Sequence, residues 1–375
     1  MPWPPQIASS RPSRHGDAMS SAALTIIDLA SLTSAEFAEV ARTRGVAAPR
    51  ALEVYRAGFR QRRLEVDWAA LPAYPIARIQ REGETTKFIL RHEDGLETES
   101  VVLPIAGSTG RLRHTLCVSS QVGCAMGCRF CETAQMGLMK NLTASQIVAQ
   151  WLAARFDLDT AIDNIVFMGM GEPMDNLDAV LQSIRVLCDH NGAAIAPAGI
   201  SVSTVGRPQG IVRLAALART PGFGKLRLAV SINAPNDEIR SQIMPINRAT
   251  PMRELMDAML QWPTDSGSNG GGRQRVFIEY VLIPGVNDAL EHADELCRYL
   301  QPLRCTVNVI PYNPRRDSPW PAPSDESVRA FIQRVHDNGQ FVKRRQTMGR
   351  SVMAACGQLG NQAIRRRRFV PMQAP

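Results

Sequence analysis

Four of the eight cysteines of this 375-residue chain fall within one short stretch, CVSSQVGCAMGCRFC. Cys124, Cys128 and Cys131 have the spacing C-x3-C-x2-C, whereas Cys117 precedes them and lies outside that spacing. Zinc sites usually take four ligands in paired C-x2-4-C units. Three thiolates from one short loop can instead hold three corners of a [4Fe-4S] cubane and leave one iron open. The trio therefore predicts an iron–sulfur centre, and a zinc site that borrows a distant fourth ligand is the alternative.

The same spacing is the one used by radical S-adenosylmethionine (SAM) enzymes. In those enzymes the open iron chelates the amino and carboxylate groups of SAM, and one electron cleaves the sulfonium to a 5′-deoxyadenosyl radical. Phe130, just before the last cysteine, suits a loop that shields a cluster. The spacing thus predicts two cofactors, a [4Fe-4S] cluster and SAM.

A second motif follows one strand–helix unit later. The strand-like stretch NIVFMG (Asn164–Gly169) runs directly into MGEP (Met170–Pro173). Glycines at the carboxyl end of a strand let backbone groups approach a ligand closely, and α/β proteins bind ligands at that end. We expect Glu172 to accept a hydrogen bond from the amino group of SAM.

The remaining cysteines divide into two groups. Cys188 and Cys297 lie in helical patterns and Cys305 opens a strand-like run, so we interpret these three as packing residues. Cys117 and Cys356, the latter in MAACGQLG, could also be inert buried thiols. Small neighbours and surrounding cations, however, favour an accessible thiolate.

Strand and helix patterns alternate after Cys117. Some of the strands lack polar–apolar alternation, as expected for strands that are covered on both faces. The helix TASQIVAQWLAARF begins with capping-box spacing. The strand patterns are Asn164–Gly169, Gly199–Val205, Leu226–Ile232, Arg275–Ile283, Thr306–Tyr312 and, more weakly, QFVKRR. Repeated βα units predict a parallel sheet, either open or curled into a barrel.

The fold class that we expect is α/β, a partial (β/α)6 radical-SAM barrel with added segments. The Pro-, Ser- and Arg-rich start has no apolar core of a signal peptide, and Thr264–Gln274 has the composition of a flexible surface loop. The expected division is a disordered tail (1–21), an N-terminal helical accessory domain (22–75), a β-rich connecting segment (76–114), the barrel (115–346) and a C-terminal segment with a basic tail (347–375).

The chain carries a modest excess of positive charge. Lys and Arg number 43 against 35 Asp and Glu, which gives a formal charge of +8. From residue 341 to the end the chain has basic but no acidic residues, so this segment is either a solvated tail or a phosphate-contacting one.

No apolar run approaches the roughly 20 residues of a membrane span. We expect a cytoplasmic protein with a polyanionic partner.

Together these motifs resemble the RlmN/Cfr family of radical-SAM RNA methyltransferases. The resemblance spans roughly residues 115–359, and the first and last motifs together are highly specific. The matching stretches are LCVSSQVGCAMGCRFC, MGMGEPMDNL, SVSTVG, AVSINAPNDEIR, IEYVLIPGVND, NVIPYNP and AACGQL. The resemblance implies methylation of a ring carbon of adenine, most simply C2, in structured ribosomal or transfer RNA.

The resemblance also implies roles for the two remaining thiols. Cys356 would carry the methyl group as S-methylcysteine, and Cys117 would resolve the protein–RNA crosslink by forming a disulfide. Glu99 would match a glutamate that is sometimes assigned as proton acceptor, although an exposed strand glutamate is an equal alternative. An electron donor such as flavodoxin or ferredoxin would be a partner, and the enzyme would work as a monomer without a membrane.

The family's SAM contacts fall at or just after expected strand ends. By motif position they are Gly171, Glu172, Ser203, Ser231, Asn233 and Asn313. Three residues depart from the family pattern: Val205 stands where Ser is usual, Asn233 where His is commoner, and Glu132 in place of a small residue. These departures leave open the target RNA and whether C2 or C8 is methylated. Two further alternatives are a non-catalytic RNA-binding protein with a metal centre and a radical-SAM enzyme for a small molecule.

Overall fold

The computed structural model describes Met1 and residues 26–106, 110–263 and 275–360. Its largest element is a ten-stranded sheet with the strand order β14-β13-β12-β11-β10-β9-β6-β5-β4-β3. The strands are β1 (Ile27–Asp28), β2 (Ala69–Ala70), β3 (Ile76–Glu82), β4 (Thr85–Arg91), β5 (Glu97–Ala106), β6 (Leu112–Cys117), β7 (Gln121–Val122), β8 (Lys140–Asn141), β9 (Asn164–Phe167), β10 (Ile200–Thr204), β11 (Arg227–Ser231), β12 (Val276–Leu282), β13 (Cys305–Pro311) and β14 (Val342–Arg344).

Helices connect the parallel strands, and one π-helical turn (Ala153–Asp157) continues α3. The first two helices precede the large sheet. The helices are α1 (Ser34–Arg42), α2 (Ala48–Gln61), α3 (Ala144–Leu152), α4 (Leu177–Cys188), α5 (Pro208–Ala218), α6 (Asp237–Ile243), α7 (Met252–Met259), α8 (Leu290–Leu300) and α9 (Asp325–Asp337).

Seven neighbouring strands of the sheet, β6 and β9 to β14, are parallel and follow one another in chain order. Most residues of these strands are apolar, as is typical of parallel strands that helices cover. Every residue of β13 is buried. The expected α/β fold with a partial barrel of parallel strands is confirmed. The stretch QFVKRR contributes β14, the last of the six expected strands, and β6 is a seventh that was not predicted.

The strands before the barrel belong to the same sheet. β3, β4 and β5 pair antiparallel with one another, and β5 pairs antiparallel with β6. The turn at Glu93-Asp94-Gly95 joins β4 to β5 as expected, with Gly95 in the left-handed region at φ +77°. Because one sheet runs across residue 114, the division into a connecting segment and a barrel stays a prediction.

The N-terminal helices pack against the barrel through aromatic rings. Phe37 and Tyr55 lie 5.8 Å apart between ring centroids, Tyr55 and Phe59 4.7 Å, and Phe59 and Trp151 of α3 6.2 Å. Thr33 begins α1 with a full capping box. The sequence did not reveal the two-residue ladder between β1 and β2, since such a short pairing carries no periodicity.

Several expectations concern residues outside the described ranges. These are most of the N-terminal tail, the loop Thr264–Gln274 and the arginine run 365–368. Within the described ranges, no helix has the length and apolar character needed to cross a membrane.

Candidate functional site

The loop with the three cysteines is closed by a small antiparallel ladder. β7 pairs with β8, and the Cys124 amide donates to the Gly137 carbonyl oxygen at 3.2 Å. Gly123 has φ +74°, and a Cβ there would lie 1.8 Å from the Gly137 carbonyl oxygen. Only glycine therefore permits this closure. The ladder fixes both ends of the loop just beyond the carboxyl end of β6.

All three cysteines of the loop line one cavity at the carboxyl edge of the parallel strands. Its volume is about 150 Å³. Nine of the predicted site residues line this cavity, together with Phe130 of the loop. They are Cys124, Cys128, Cys131, Gly171, Glu172, Ser203, Ser231, Asn233 and Cys356.

The two glycines of the GMGEP turn are required by packing as well as by access to a ligand. A Cβ on Gly169 would lie 2.7 Å from the Val118 carbonyl oxygen, and one on Gly171 would lie 2.5 Å from Cβ of Gln121. Gly171 also has φ +100°. The turn therefore presses directly against the chain between β6 and the cysteine loop, which holds both motifs on the same cavity.

Glu172 is buried and already bound by the protein backbone. The Met174 amide donates to Oε1 at 3.0 Å and the Val205 amide to Oε2 at 2.9 Å. Burial raises the pKa of Glu172 to about 7, and these amide donors oppose the rise. The carboxyl group consequently changes charge near neutral pH while it keeps its position on the cavity wall.

Asn233 adopts a left-handed backbone conformation with φ +57°, which asparagine tolerates better than most residues. Its Oδ1 accepts from the Val281 amide at 2.8 Å, and its Nδ2 contacts the Met244 sulfur. The side chain thus joins the end of β11 to β12. Asn313 is buried after β13 but is not among the residues that line the cavity.

A fully buried arginine fastens the strand ends behind the cavity. Arg240 donates through Nε to the Ile232 carbonyl oxygen at 3.0 Å and through Nη2 to the carbonyl oxygens of Val205 and Ser231. Nη1 donates to Oδ1 of Asn247 at 2.8 Å. One guanidinium group therefore holds the ends of β10 and β11, where two of the predicted SAM contacts lie.

The C-terminal segment brings Cys356 to the cysteine loop from far along the chain. The Glu132 amide donates to the Gly357 carbonyl oxygen at 2.7 Å, and Oγ1 of Thr133 donates to the Leu359 carbonyl oxygen at 2.6 Å across 226 residues. The Cys356 side chain is exposed and lines the cavity. The sequence motifs at the two ends of the resemblance therefore meet in space.

Cys117 lies behind the cavity wall at the end of β6, in register with Val166 of β9. Burial raises the pKa of its thiol to about 12, and the nearby Cys356 thiol raises it further. Arg345 favours the ionised forms of both thiols. Both cysteines are free thiols, and the described cysteines form no disulfide.

Glu99 lies outside the cavity, in the middle of β5. It is buried rather than exposed, and its Oε2 pairs with Nζ of Lys87 at 2.7 Å. The same oxygen accepts from the Gly360 amide at 2.9 Å. The structure therefore places Glu99 beside the C-terminal segment and does not bring it to the other predicted residues.

Comparison with known proteins adds independent support for the family. Residues 118–299 match the model of the radical SAM superfamily. A probable dual-specificity RNA methyltransferase RlmN 1 from Protochlamydia amoebophila is 42% identical over 294 residues, 78% of each chain. The dual-specificity RNA methyltransferase RlmN of Nitratidesulfovibrio vulgaris (strain DP4) is 40% identical over 298 residues, 78% of this chain and 79% of its own. The chain belongs to the RlmN family of radical SAM enzymes.

A solved structure agrees with this membership. A radical SAM methyltransferase from Sphaerobacter thermophilus superposes with a TM-score of 0.80 at 38% identity, covering 88% of this chain and 98% of its own. Membership in the superfamily implies SAM and an iron–sulfur cluster as cofactors.

The donor set fits such a cluster better than it fits a single zinc ion. Among the described residues, no three His, Cys, Asp or Glu side chains lie close enough to share one metal ion. A cubane does not need its three thiolates to converge on one point, because each binds a different corner. The cysteine loop of this family member places its three thiols on one cavity wall, as three corners of a cubane require.

The three departures from the family pattern have structural explanations. Val205 interacts with the site through its backbone: its amide donates to Glu172 and its carbonyl oxygen accepts from Arg240. These two contacts do not depend on the type of side chain at this position. Asn233 replaces histidine with a residue that suits the left-handed turn. Glu132 is buried against Gly360, where a Cβ would meet its Cγ at 3.1 Å.

The sequence analysis missed Glu279, a buried carboxyl group on the cavity wall. Its Oε1 accepts from the Asn308 amide group at 2.8 Å, and its Oε2 has no hydrogen-bond partner among the described residues. Burial raises its pKa, and Arg345 opposes the rise. A charged residue in the middle of the apolar strand RVFIEYVLI was the signal that could have revealed it.

Replacing Arg240 by Met should destabilise the protein, because several buried carbonyl oxygens lose their donor. We expect the free energy of unfolding in urea to fall by about 3 kcal/mol. Arg213→Met, which removes an exposed ion pair with Asp178, should change it by less than about 0.5 kcal/mol. Equal effects of the two substitutions would contradict the role given to Arg240.

Proposed function

We propose that this chain methylates the C2 carbon of adenine in structured ribosomal or transfer RNA, using Cys356 as methyl carrier and Cys117 as resolving thiol. The observation that carries the proposal is the meeting of Cys356 with the three-cysteine loop on one cavity, with the Cys117 thiol near enough to Cys356 for the two to interact electrostatically. A protein that only bound RNA through a metal centre would need neither thiol. The RNA substrate is inferred from relatives that are named as RNA methyltransferases.

Cys124, Cys128 and Cys131 would hold a [4Fe-4S] cluster, and the cavity above them would receive SAM. When bound, these groups supply the electron, the methyl carbon and the hydrogen-abstracting power of the reaction. The two carboxylate oxygens of Glu172 are held by the amides of Met174 and Val205. Glu172 can accept a further hydrogen bond from the amino group of SAM. The other proposed contacts are Gly171, Ser203, Ser231, Asn233 and Asn313.

A carrier thiol answers a chemical difficulty of the substrate. The C2 carbon of adenine is not nucleophilic, so it cannot attack the methyl group of SAM directly. Cys356 can: its sulfur forms a bond to the methyl carbon, the sulfonium–methyl bond breaks, and the thiol proton is released. Its exposed side chain in the cavity suits this transfer, whereas buried Cys117 is shielded from it.

Cys117 would act after the carrier carbon has bonded to the adenine ring. It would assist loss of the ring proton, while the radical left on the ring would return one electron to the bound cluster. Cys117, once deprotonated, would then attack the Cys356 sulfur as a thiolate. A disulfide bond forms, the carbon–sulfur bond to the RNA breaks, and the released carbon takes up a proton to become the methyl group. Burial raises the pKa of Cys117 to about 12, which disfavours the thiolate that this attack requires. A reductant such as reduced flavodoxin or ferredoxin must then regenerate both thiols.

The target adenine must leave its helix to reach this cavity, since Cys117, Cys124 and Cys128 are buried. Exposed arginines on and just after α2 can contact phosphates of the surrounding RNA. They are Arg50, Arg56, Arg60 and Arg63. We propose that the N-terminal helical module and the C-terminal basic tail bind the RNA backbone of a monomeric enzyme.

Protein reconstituted without oxygen should contain about four irons per chain, as a [4Fe-4S] cluster requires. Cys128→Ala should lose most of this iron, because a corner ligand is missing. Cys305→Ala, which removes a buried thiol away from the loop, should retain it. The measurement is iron content with the visible absorption of the cluster; one tightly bound zinc in place of iron would contradict the assignment.

Cys117→Ala should trap a covalent adduct between Cys356 and RNA, because the thiol that resolves the crosslink is absent. Denaturing gel electrophoresis with labelled RNA measures the adduct, and Cys117→Ala/Cys356→Ala should not form it. Cys188→Ala is the matched control and should turn over like the wild type. Normal turnover by Cys117→Ala would show that this cysteine is not the resolving thiol.

Mass spectrometry of nucleosides tests the function as a whole. Ribosomal and transfer RNA from cells that lack the gene, incubated with the reconstituted enzyme, SAM and a reductant, should gain 2-methyladenosine. A gain of 8-methyladenosine would identify the alternative ring carbon. Absence of any methylated adenosine with a fully loaded enzyme would support the non-catalytic alternative or a small-molecule substrate.

A further inference from the structure

A buried ion pair lies next to the segment that carries Cys356, outside the cavity. Lys87 of β4 and Glu99 of β5 are 2.7 Å apart, and their side chains are only 4% and 3% exposed. Two desolvated charges are costly unless geometry and further hydrogen bonds compensate them. The further hydrogen bonds of this pair go to the C-terminal segment.

Each charge holds one end of the loop around Cys356. Nζ of Lys87 donates to the Met353 carbonyl oxygen at 3.1 Å, and Oε2 of Glu99 accepts from the Gly360 amide at 2.9 Å. Both are charge-assisted hydrogen bonds in a dry environment, where such bonds are strongest. Cys356 lies between the two attachment points.

The shape of the loop depends on contacts with neighbouring segments. It contains no helix or strand, and Met353 and Gly357 have the positive φ values +52° and +83°. Upstream, the Glu82 carboxylate accepts from the amides of Gly349 and Ser351. These contacts to the antiparallel strands, together with the hydrogen bonds of Gly357 and Leu359 to the cysteine loop, set the position of this irregular segment.

We propose that Lys87 and Glu99 are a positioning pair that fixes the Cys356 loop over the cavity. This inference rests on the proposed function, in which one sulfur must meet the methyl donor, the adenine carbon and Cys117 in turn. A displacement of about 1 Å can cost such reactions a hundredfold in rate. Glu99 then acts through the loop, since its Oε2 is bound to Nζ of Lys87 and to the Gly360 amide.

The double variant Lys87→Met/Glu99→Met tests the pair without leaving a single charge buried. Hydrogen–deuterium exchange of the full chain should become at least tenfold faster at residues 349–360, while β12 and β13 remain unchanged. Arg91→Met/Glu97→Met is the matched control, because it removes an ion pair of 2.8 Å from the same two strands at a more exposed position. Unchanged exchange of residues 349–360 in the folded double variant would overturn the proposal.

A charge reversal, Lys87→Glu/Glu99→Lys, separates positioning from simple ion pairing. It keeps two opposite charges but faces the Met353 carbonyl oxygen with a carboxylate and the Gly360 amide with an ammonium group. We expect the loop to exchange as fast as in the double Met variant. Wild-type protection in the reversed variant would overturn the proposal.

Methylation of Cys356 is the second readout, measured by peptide mass spectrometry on reconstituted enzyme with SAM. The double Met variant should be methylated at least tenfold more slowly at equal iron content. Faster exchange with unaltered methylation would overturn positioning. An unmethylated Cys356 in the wild type would overturn the proposed function, while the exchange result would still decide whether the pair holds the loop.

Should the double variants fail to fold, Glu82→Ala tests the same principle at a half-exposed site. It removes the acceptor of the Gly349 and Ser351 amides. Exchange at residues 349–353 should rise and Cys356 methylation should slow at least threefold. If neither changes, docking to the antiparallel strands does not position Cys356, and the proposal fails.

Discussion

The parallel arrangement of the barrel strands is the constraint on which the site depends. Parallel neighbours end at the same edge of the sheet, so the residues that follow each strand gather there regardless of their distance in sequence. The cysteine loop follows β6, the GMGEP turn follows β9, and the serines of β10 and β11 complete the wall. Arg240 ties two of these strand ends together through their carbonyl oxygens.

The environments of the thiols separate their chemistry more clearly than their order in the chain does. Cys356 is exposed in an irregular segment, whereas Cys117 is buried at the end of a central strand. Burial disfavours a thiolate, so a strand-end thiol is protected from side reactions that an exposed one would undergo. These two environments suit the roles proposed for Cys356 as methyl carrier and Cys117 as resolving thiol.

Local sequence patterns predicted most of the helices and strands, but only those parts of the candidate site whose residues lie close together in the chain. Periodicity placed the barrel strands and helices, and the spacing of the trio indicated its ligands, because these signals lie within a few residues. The attachment of Thr133 to Leu359 and the pair of Lys87 with Glu99 are tertiary contacts without local pattern. Glu279 escaped notice because one carboxyl group in a buried strand gives no periodic signal.

The antiparallel strands that hold the C-terminal segment have a consequence for how this protein can vary. Lys87 and Glu99 face the segment only while β4 and β5 keep their phase, with Ile89 opposite Glu99. A one-residue slip of either strand would turn its charge to the other face of the sheet and separate the pair. The hairpin tip near Gly95 should therefore tolerate insertions. A single residue added inside either strand should displace Cys356 from the cavity.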